Sequence, residues 1–277
     1  MSLFTDMKRK RTAAKFGMKP IDHSILEGIV EYTEQLELPA PSGRVCVQLM
    51  EELEKGTCGV PYYLLLFTDG TEEGYLNAGY ASGLAASFLR FQGITASILR
   101  ESPRRTLRAE YRGMQCTAAL AFGYEKKDTE RDRAGADDDQ PCILREQRDH
   151  WAEEVLSFAS DHFLGAMGSV RLIRQDKWIH FMRKTSSRKN AASAMFDAGA
   201  AVAAVMSSAE ELWIDLKLVN ARELLKEEEN NPFLAPEYLI SVCKRSEYRT
   251  ATARLMSGGQ IRNAERRSVR GHLWKYA

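Results

Sequence analysis

The uninterrupted apolar run Tyr62 to Phe67 has strand length and carries no polar face. It reads as a strand buried on both sides. The turn Thr68-Asp69-Gly70 follows, and then a helix of small residues from Leu76 to Ala86. The same succession recurs later. Trp178 to Met182 reads as a strand, Thr185 to Asn190 as a polar turn, and Phe196 to Val205 as a second small-residue helix. Adding 120 maps Asn77 to Asp197, Gly79 to Gly199, Ser87 to Ser207 and Ile94 to Ile214 without a gap, which predicts an internal duplication. Glycine inside a helix costs about 1 kcal/mol relative to alanine. Gly79, Gly83 and Gly199 therefore predict close helix packing, with the two helices paired about a pseudo-twofold axis.

Further elements follow from the same patterning. Thr117 to Tyr124 predicts a third strand. Trp151, Val155, Leu156 and Ala159 fall on one face of a helix predicted from about Leu144 to Ser160. Pro236 to Cys243 and Thr250 to Arg270 read as helical. Between the two halves, eleven of the sixteen residues from Glu125 to Gln140 are charged and no apolar period runs through them. This segment reads as an exposed, mobile linker. The expected organisation is a first repeat over 1–124, a linker over 125–143, and a second repeat over 144–277 that ends in a basic extension.

Composition narrows the function classes. The chain has 277 residues, 44% hydrophobic and 28% charged, with 39 Lys and Arg against 38 Asp and Glu. A net charge of +1 argues against a dedicated nucleic-acid coat, so no nucleic-acid partner is expected. No apolar run reaches the roughly 18 residues that span a bilayer, so no membrane partner is expected either. Five scattered cysteines without a C-x-x-C pair suit reduced thiols in a cytoplasmic protein.

Local catalytic devices are missing. The sequence holds no phosphate loop, no G-x-G-x-x-G fingerprint, no nucleophile elbow and no clustered Cys/His metal set. His180 and His162 read as structural. No metal site and no dedicated catalytic residue are expected. What remains is anion-binding capacity. Lys8, Arg9, Lys10, Arg11, Lys15 and Lys19 crowd the first twenty residues beside the Thr12 hydroxyl, opposed by Asp6 alone. A guanidinium, a second cation and a hydroxyl suit a phosphate, and a solvated basic arm is the competing reading. Arg266-Arg267-Ser268-Val269-Arg270 is a second such cluster near the other end.

Lys10-Arg11-Thr12-Ala13-Ala14-Lys15-Phe16 resembles the R-R-S-x-R-x-F opening of the nitroreductase superfamily of FMN-dependent oxidoreductases. Leu76 to Ser97, ending Gly93-Ile94-Thr95-Ala96-Ser97, resembles that family's central helix and its G-L-G-T-x-W turn. Thr117 to Tyr124 resembles the strand ending in G-Y, and Trp178 to Met182 followed by Phe196 to Leu218 resembles a second copy. The chain is thus similar to a divergent single-chain, two-repeat branch.

The resemblance implies an α/β (α+β) sandwich, with a central, mainly antiparallel sheet flanked by helices and two repeats forming a pseudo-dimer. It implies an FMN phosphate held by Lys10, Arg11, Thr12 and Lys15, with Ser97 at the turn. His162 to Ser169 takes the place of the family's P-S-x-x-N-x-Q-P-W segment, which puts Gly165, Gly168 and Ser169 along the flavin. The Asn, Gln and Trp of that segment are absent here. The implied activity passes electrons from NAD(P)H to a quinone, nitro compound or similar small-molecule acceptor. The implied assembly is a pseudo-dimeric monomer or a homodimer. The competing expectation is a degenerate member that keeps the fold and binds another ligand without flavin redox activity.

Overall fold

The computed structural model describes residues 16–51, 60–99, 110–126, 142–145, 150–162, 170–175, 178–183, 191–220 and 238–245. The chain divides into two compact units, Met1–Asp138 and Asp139–Ala277.

In the first unit, helix α1 (His23–Glu34) leads into strands β1 (Val45–Glu51) and β2 (Tyr62–Thr68). Helix α2 (Glu72–Phe91) and strands β3 (Thr95–Leu99), β4 (Glu110–Tyr111) and β5 (Met114–Gly123) complete it. Asp22 caps α1 by accepting a hydrogen bond from the Ser24 N–H at 2.9 Å. The sheet runs β1-β2-β5-β3, with β4 on β5, and every pairing is antiparallel. All seven residues of β2 are buried, as its unbroken apolar run requires of a central strand covered on both faces. Tyr63, Leu65 and Phe67 join Ala119, Ala121, Phe16, Val60 and Met114 in one cluster. On the opposite side of β2, the Tyr62 ring stacks on Phe122 at 5.6 Å, and its hydroxyl accepts from the Ile21 N–H at 3.2 Å.

In the second unit, β6 (Cys142–Arg145) precedes helix α3 (His150–His162) and strands β7 (Val170–Gln175) and β8 (Trp178–Arg183). Helix α4 (Ala191–Glu211), β9 (Leu216–Asn220) and β10 (Tyr238–Lys244) follow. The sheet runs β6-β7-β8-β10-β9, with β6 parallel to β7 and the rest antiparallel. Apart from β4 and β6, both units give helix, two strands, helix, two strands, and the last strand lies between its partners in each.

Helix α4 is long and apolar enough by composition to cross a bilayer, yet 78% of that window is buried inside the protein. It packs on β7, β8, β10 and α3 as a core helix.

Three elements differ from the sequence reading. Residues 238–244 form a strand, not a helix. Ile240 and Val242 alternate with Ser241 and Cys243, and pairing to β8 on one side and β9 on the other buries all four. The expected helix from Leu144 starts at His150, because residues 142–145 are spent on β6. The chain is already extended from Thr95, which converts the expected turn at Gly93–Ser97 into a helix stop followed by β3. Most of the charged linker and the segment Thr250–Arg270 lie outside the described residues.

Candidate functional site

The described polar chemistry of the first unit gathers where α1 hands the chain to β1, at Ala40–Arg44. Asn77, on α2, is fully buried. Its amide donates to the carbonyls of Ala40 and Gly43 at 2.7 and 2.8 Å, and its Oδ1 accepts from the Ala40 N–H at 3.0 Å. Ser42 Oγ donates to the Glu73 carboxylate. The Arg44 N–H donates to Asp69 Oδ2 at 3.1 Å, while Asp69 Oδ1 accepts from the Thr71 N–H and hydroxyl. Burial acts to raise the Asp69 pKa, but the Thr71 and Arg44 hydrogen bonds outweigh it and hold the carboxyl below its ordinary value. A Cβ on Gly43 would lie 2.4 Å from the Glu73 carbonyl carbon, so only glycine lets the loop rest on the first turn of α2. That turn is closed to anions. Thr71 accepts from the Gly74 N–H at 3.0 Å, and Glu72 and Glu73 already complement the helix dipole.

A second junction lies at the opposite end of the sheet. Phe16 is fully buried and bridges to Glu125, and the Gly17 N–H donates to the Tyr124 carbonyl at 2.7 Å. Residue 16, the last of the basic signature, is thereby fixed to the end of β5. Ser97 is near this end, paired with Ala121, which pairs with Tyr63, whereas Val45 pairs with Thr68. Tyr63 and Thr68 are about 17 Å apart along β2. Ser97 therefore does not meet the Ala40–Arg44 loop.

Ser97 also sits in a different element from the one expected. The helix stop is complete before it, with Gly93 at φ +70° and the Ile94 N–H bonded to the Leu89 carbonyl at 2.9 Å. Ser97 is the middle residue of the edge strand β3, not part of a turn. Lys10, Arg11, Thr12, Lys15, Gly165, Gly168 and Ser169 lie outside the described residues.

In the second unit, Asp197 is fully buried on α4. His180 Nδ1 lies 2.6 Å from Ser241 Oγ, and the His180 ring stacks on Trp178 at 6.2 Å. Ser241 is fully buried, so the pair ties β8 to β10 inside the sheet and presents no nucleophile to a substrate. Among the described residues, no group of three or more metal-ligating side chains is found.

The Ala40–Arg44 loop escaped the sequence reading. It occupies the helix-to-strand position in the first unit that residues 163–169 occupy in the second. Pro41-Ser42 resembles the P-S pair of the segment sought at His162–Ser169, and that dipeptide was available as a signal. Counting on from it, Val45 stands where that segment has Asn.

These features define an α+β protein with mainly antiparallel sheets and a helix-to-strand loop locked onto a central helix. The chain is similar in structure to a "putative nitroreductase" from Thermotoga maritima, with a TM-score of 0.55 and 11% identity, over 88% of this chain and 94% of that one. The nitroreductase-like fold is thereby shown. No protein-family model and no curated protein matches the sequence.

Proposed function

We propose that the chain is an FMN-dependent oxidoreductase of the nitroreductase type, passing electrons from NAD(P)H to a quinone, nitro compound or similar acceptor. The observation that supports this reading is fold likeness across 88% of the chain. When bound, the flavin supplies the hydride chemistry, which suits a sequence that holds no local catalytic motif. On this reading Lys10, Arg11, Thr12 and Lys15 hold the phosphate, and Gly165, Gly168 and Ser169 lie along the flavin. We also read the shared element order as a duplication, in a pseudo-dimeric monomer or a homodimer without nucleic-acid or membrane partners.

The described loop of the first unit does not fit a flavin. Asn77 takes the Ala40 N–H and the carbonyls of Ala40 and Gly43, Glu73 takes the Ser42 hydroxyl, and Asp69 takes the Arg44 N–H. A ligand would have to break these bonds, so the reading implies one flavin per chain. The same observation favours a second reading, a degenerate member that keeps the fold and binds another ligand without flavin redox activity.

Titration with FMN and with riboflavin separates the two. On the first reading the protein purifies yellow, FMN leaves on denaturation, and Arg11→Glu weakens FMN by about ten-fold or more. Riboflavin, which has no phosphate, is then nearly indifferent to that change. No binding of either compound by the unmutated protein selects the degenerate reading.

A further inference from the structure

Strand β1 lies at the end of its sheet. It pairs with β2 over all seven residues, Val45 to Glu51, without a register shift, and among the described residues no strand pairs with its outer edge. The matching strand of the second unit, β7, has a strand on each side, β8 on one and β6 on the other. An unpaired edge offers a row of backbone donors and acceptors to another strand, and proteins commonly guard such edges with lysine, proline, a bulge or a very short strand. β1 has none of these guards. No Lys, Arg or Pro stands between Val45 and Glu51. The strands β3, β6 and β9, which end the other edges, are shorter, with five, four and five residues.

The middle residue of β1 is Gln48. It stands opposite Leu65, on the face where Cys46 and Met50 pack against the core cluster of the first unit. Its side-chain Oε1 is buried and has no hydrogen-bond partner. A buried polar atom left unpaired is costly and uncommon, and it calls for an explanation. A strand added at the outer edge would bring a side chain directly opposite Gln48, with Cβ atoms about 4.5–5.5 Å apart.

We propose that β1 is a self-pairing edge, joined antiparallel to β1 of a second copy about a two-fold axis at Gln48. A two-fold axis there puts Gln48 opposite Gln48, Val47 opposite Leu49, Cys46 opposite Met50 and Val45 opposite Glu51. Each Gln48 amide then donates one N–H to the Oε1 of the other, which satisfies both orphaned oxygens. Cys46 and Met50 extend the apolar cluster across the axis. Antiparallel pairing brings Arg44 of one copy to the end where Glu51 of the other stands, so no like charges meet. The pairing names an interface for the homodimer form of the assembly, and it is independent of flavin binding.

Sedimentation velocity on the full chain, from micromolar to near-millimolar protein, tests this. The unmutated chain should show a monomer–dimer equilibrium, and hydrogen exchange of the β1 amides should slow as the protein is concentrated. Gln48→Lys and Gln48→Glu each set like charges opposite one another, and each should weaken dimerisation by about ten-fold or more. An equimolar mixture of the two variants should dimerise again, as a heterodimer. That rescue separates a lost interface from a lost fold, which mixing does not repair. A chain that stays monomeric over the whole range would overturn the proposal, and slow, concentration-independent exchange in β1 would then put another segment of the same chain on this edge. Dimers of unaltered strength in both variants would also overturn it, because the copies would then meet elsewhere.

Discussion

The two units reach the same strand order with different interiors. In the first, the β2–β5 pair Leu65↔Ala119 is apolar, and in the second the β8–β10 pair His180↔Ser241 is polar. The two pairs are matched by their edge-strand neighbours, since Leu99 pairs with Ala119 and Val219 pairs with Ser241, 120 residues on. The buried polar residue of the central helix is an amide, Asn77, in one unit and a carboxyl, Asp197, in the other. The helix stop is Gly93 in one and Trp213 in the other. Element order survives such exchanges because it depends on apolar periodicity. Each polar position has to be satisfied by its own neighbours.

The largest expected effect is at Asn77. Asn77→Asp turns a donor that faces two carbonyls into an acceptor, and Asn77→Ala removes the partner of the Ala40 N–H and of the Gly43 carbonyl, while the Ala40 carbonyl keeps the Gly43 N–H at 3.2 Å. Leaving a buried polar group unsatisfied costs about 1–3 kcal/mol, so either change should destabilise the first unit by about 3 kcal/mol or more. Hydrogen exchange resolved by segment should show α2 losing protection while α4 keeps it. Equal loss in both helices would mean that the two units do not unfold separately.

Exchanging the polar pair for its apolar counterpart comes next. Ser241→Ala alone removes the partner of His180 Nδ1 and should cost about 1–2 kcal/mol. The double change Ser241→Ala with His180→Leu recreates the first unit's chemistry and should cost less than the two single costs added. A double-mutant cycle by denaturant unfolding measures that coupling, expected at about 1 kcal/mol. Strict additivity would mean that the 2.6 Å contact contributes nothing.

The helix stops offer a smaller and cleaner exchange. Gly93 has nothing within 4 Å of where a Cβ would stand, so Gly93→Ala isolates the backbone term and should cost about 1 kcal/mol. Trp213→Gly should gain about 0.5–1 kcal/mol. Thermal unfolding of the two variants should move in opposite directions.

How much of this was legible follows from the kind of signal each element leaves. The run Tyr62–Phe67 and the small-residue helices announce themselves, because a central strand and a fully buried helix tolerate no polar face. Residues 238–244 do not: a seven-residue segment with Ser241 and Cys243 among its apolar positions becomes a strand only through pairing on both sides. The Ala40–Arg44 loop was half legible. Pro41-Ser42 could be seen, but its attachment to Asn77 joins residues 34 to 37 positions apart, and nothing local encodes that. Ser97 was expected in a turn and lies in a strand, because a helix stop leaves the same glycine signature whether a turn or a strand comes after it.

The two units should also part company in acid. In the sequence Asp69 follows β2 directly, whereas the residue after β8 is Lys184. The Asp69 pKa is lowered in the folded chain, since the Thr71 and Arg44 hydrogen bonds outweigh burial. A carboxyl with a lowered folded pKa binds its proton more readily when unfolded. Its contribution is therefore fully present above the ordinary aspartate value of about 4 and is lost as pH falls through the lower folded value. Protection of α2 should accordingly decline ahead of that of α4 as pH drops from about 5 toward 2. Asp69→Asn keeps the shape but supplies one carbonyl acceptor where the carboxylate offers two oxygens. It should make the first unit less stable at neutral pH and remove most of the lag between the two helices in acid. If the lag persists unchanged in Asp69→Asn, the acid sensitivity of the first unit originates in other carboxylates, and the Ala40–Arg44 junction is held by Asn77 without help from the charge on Asp69.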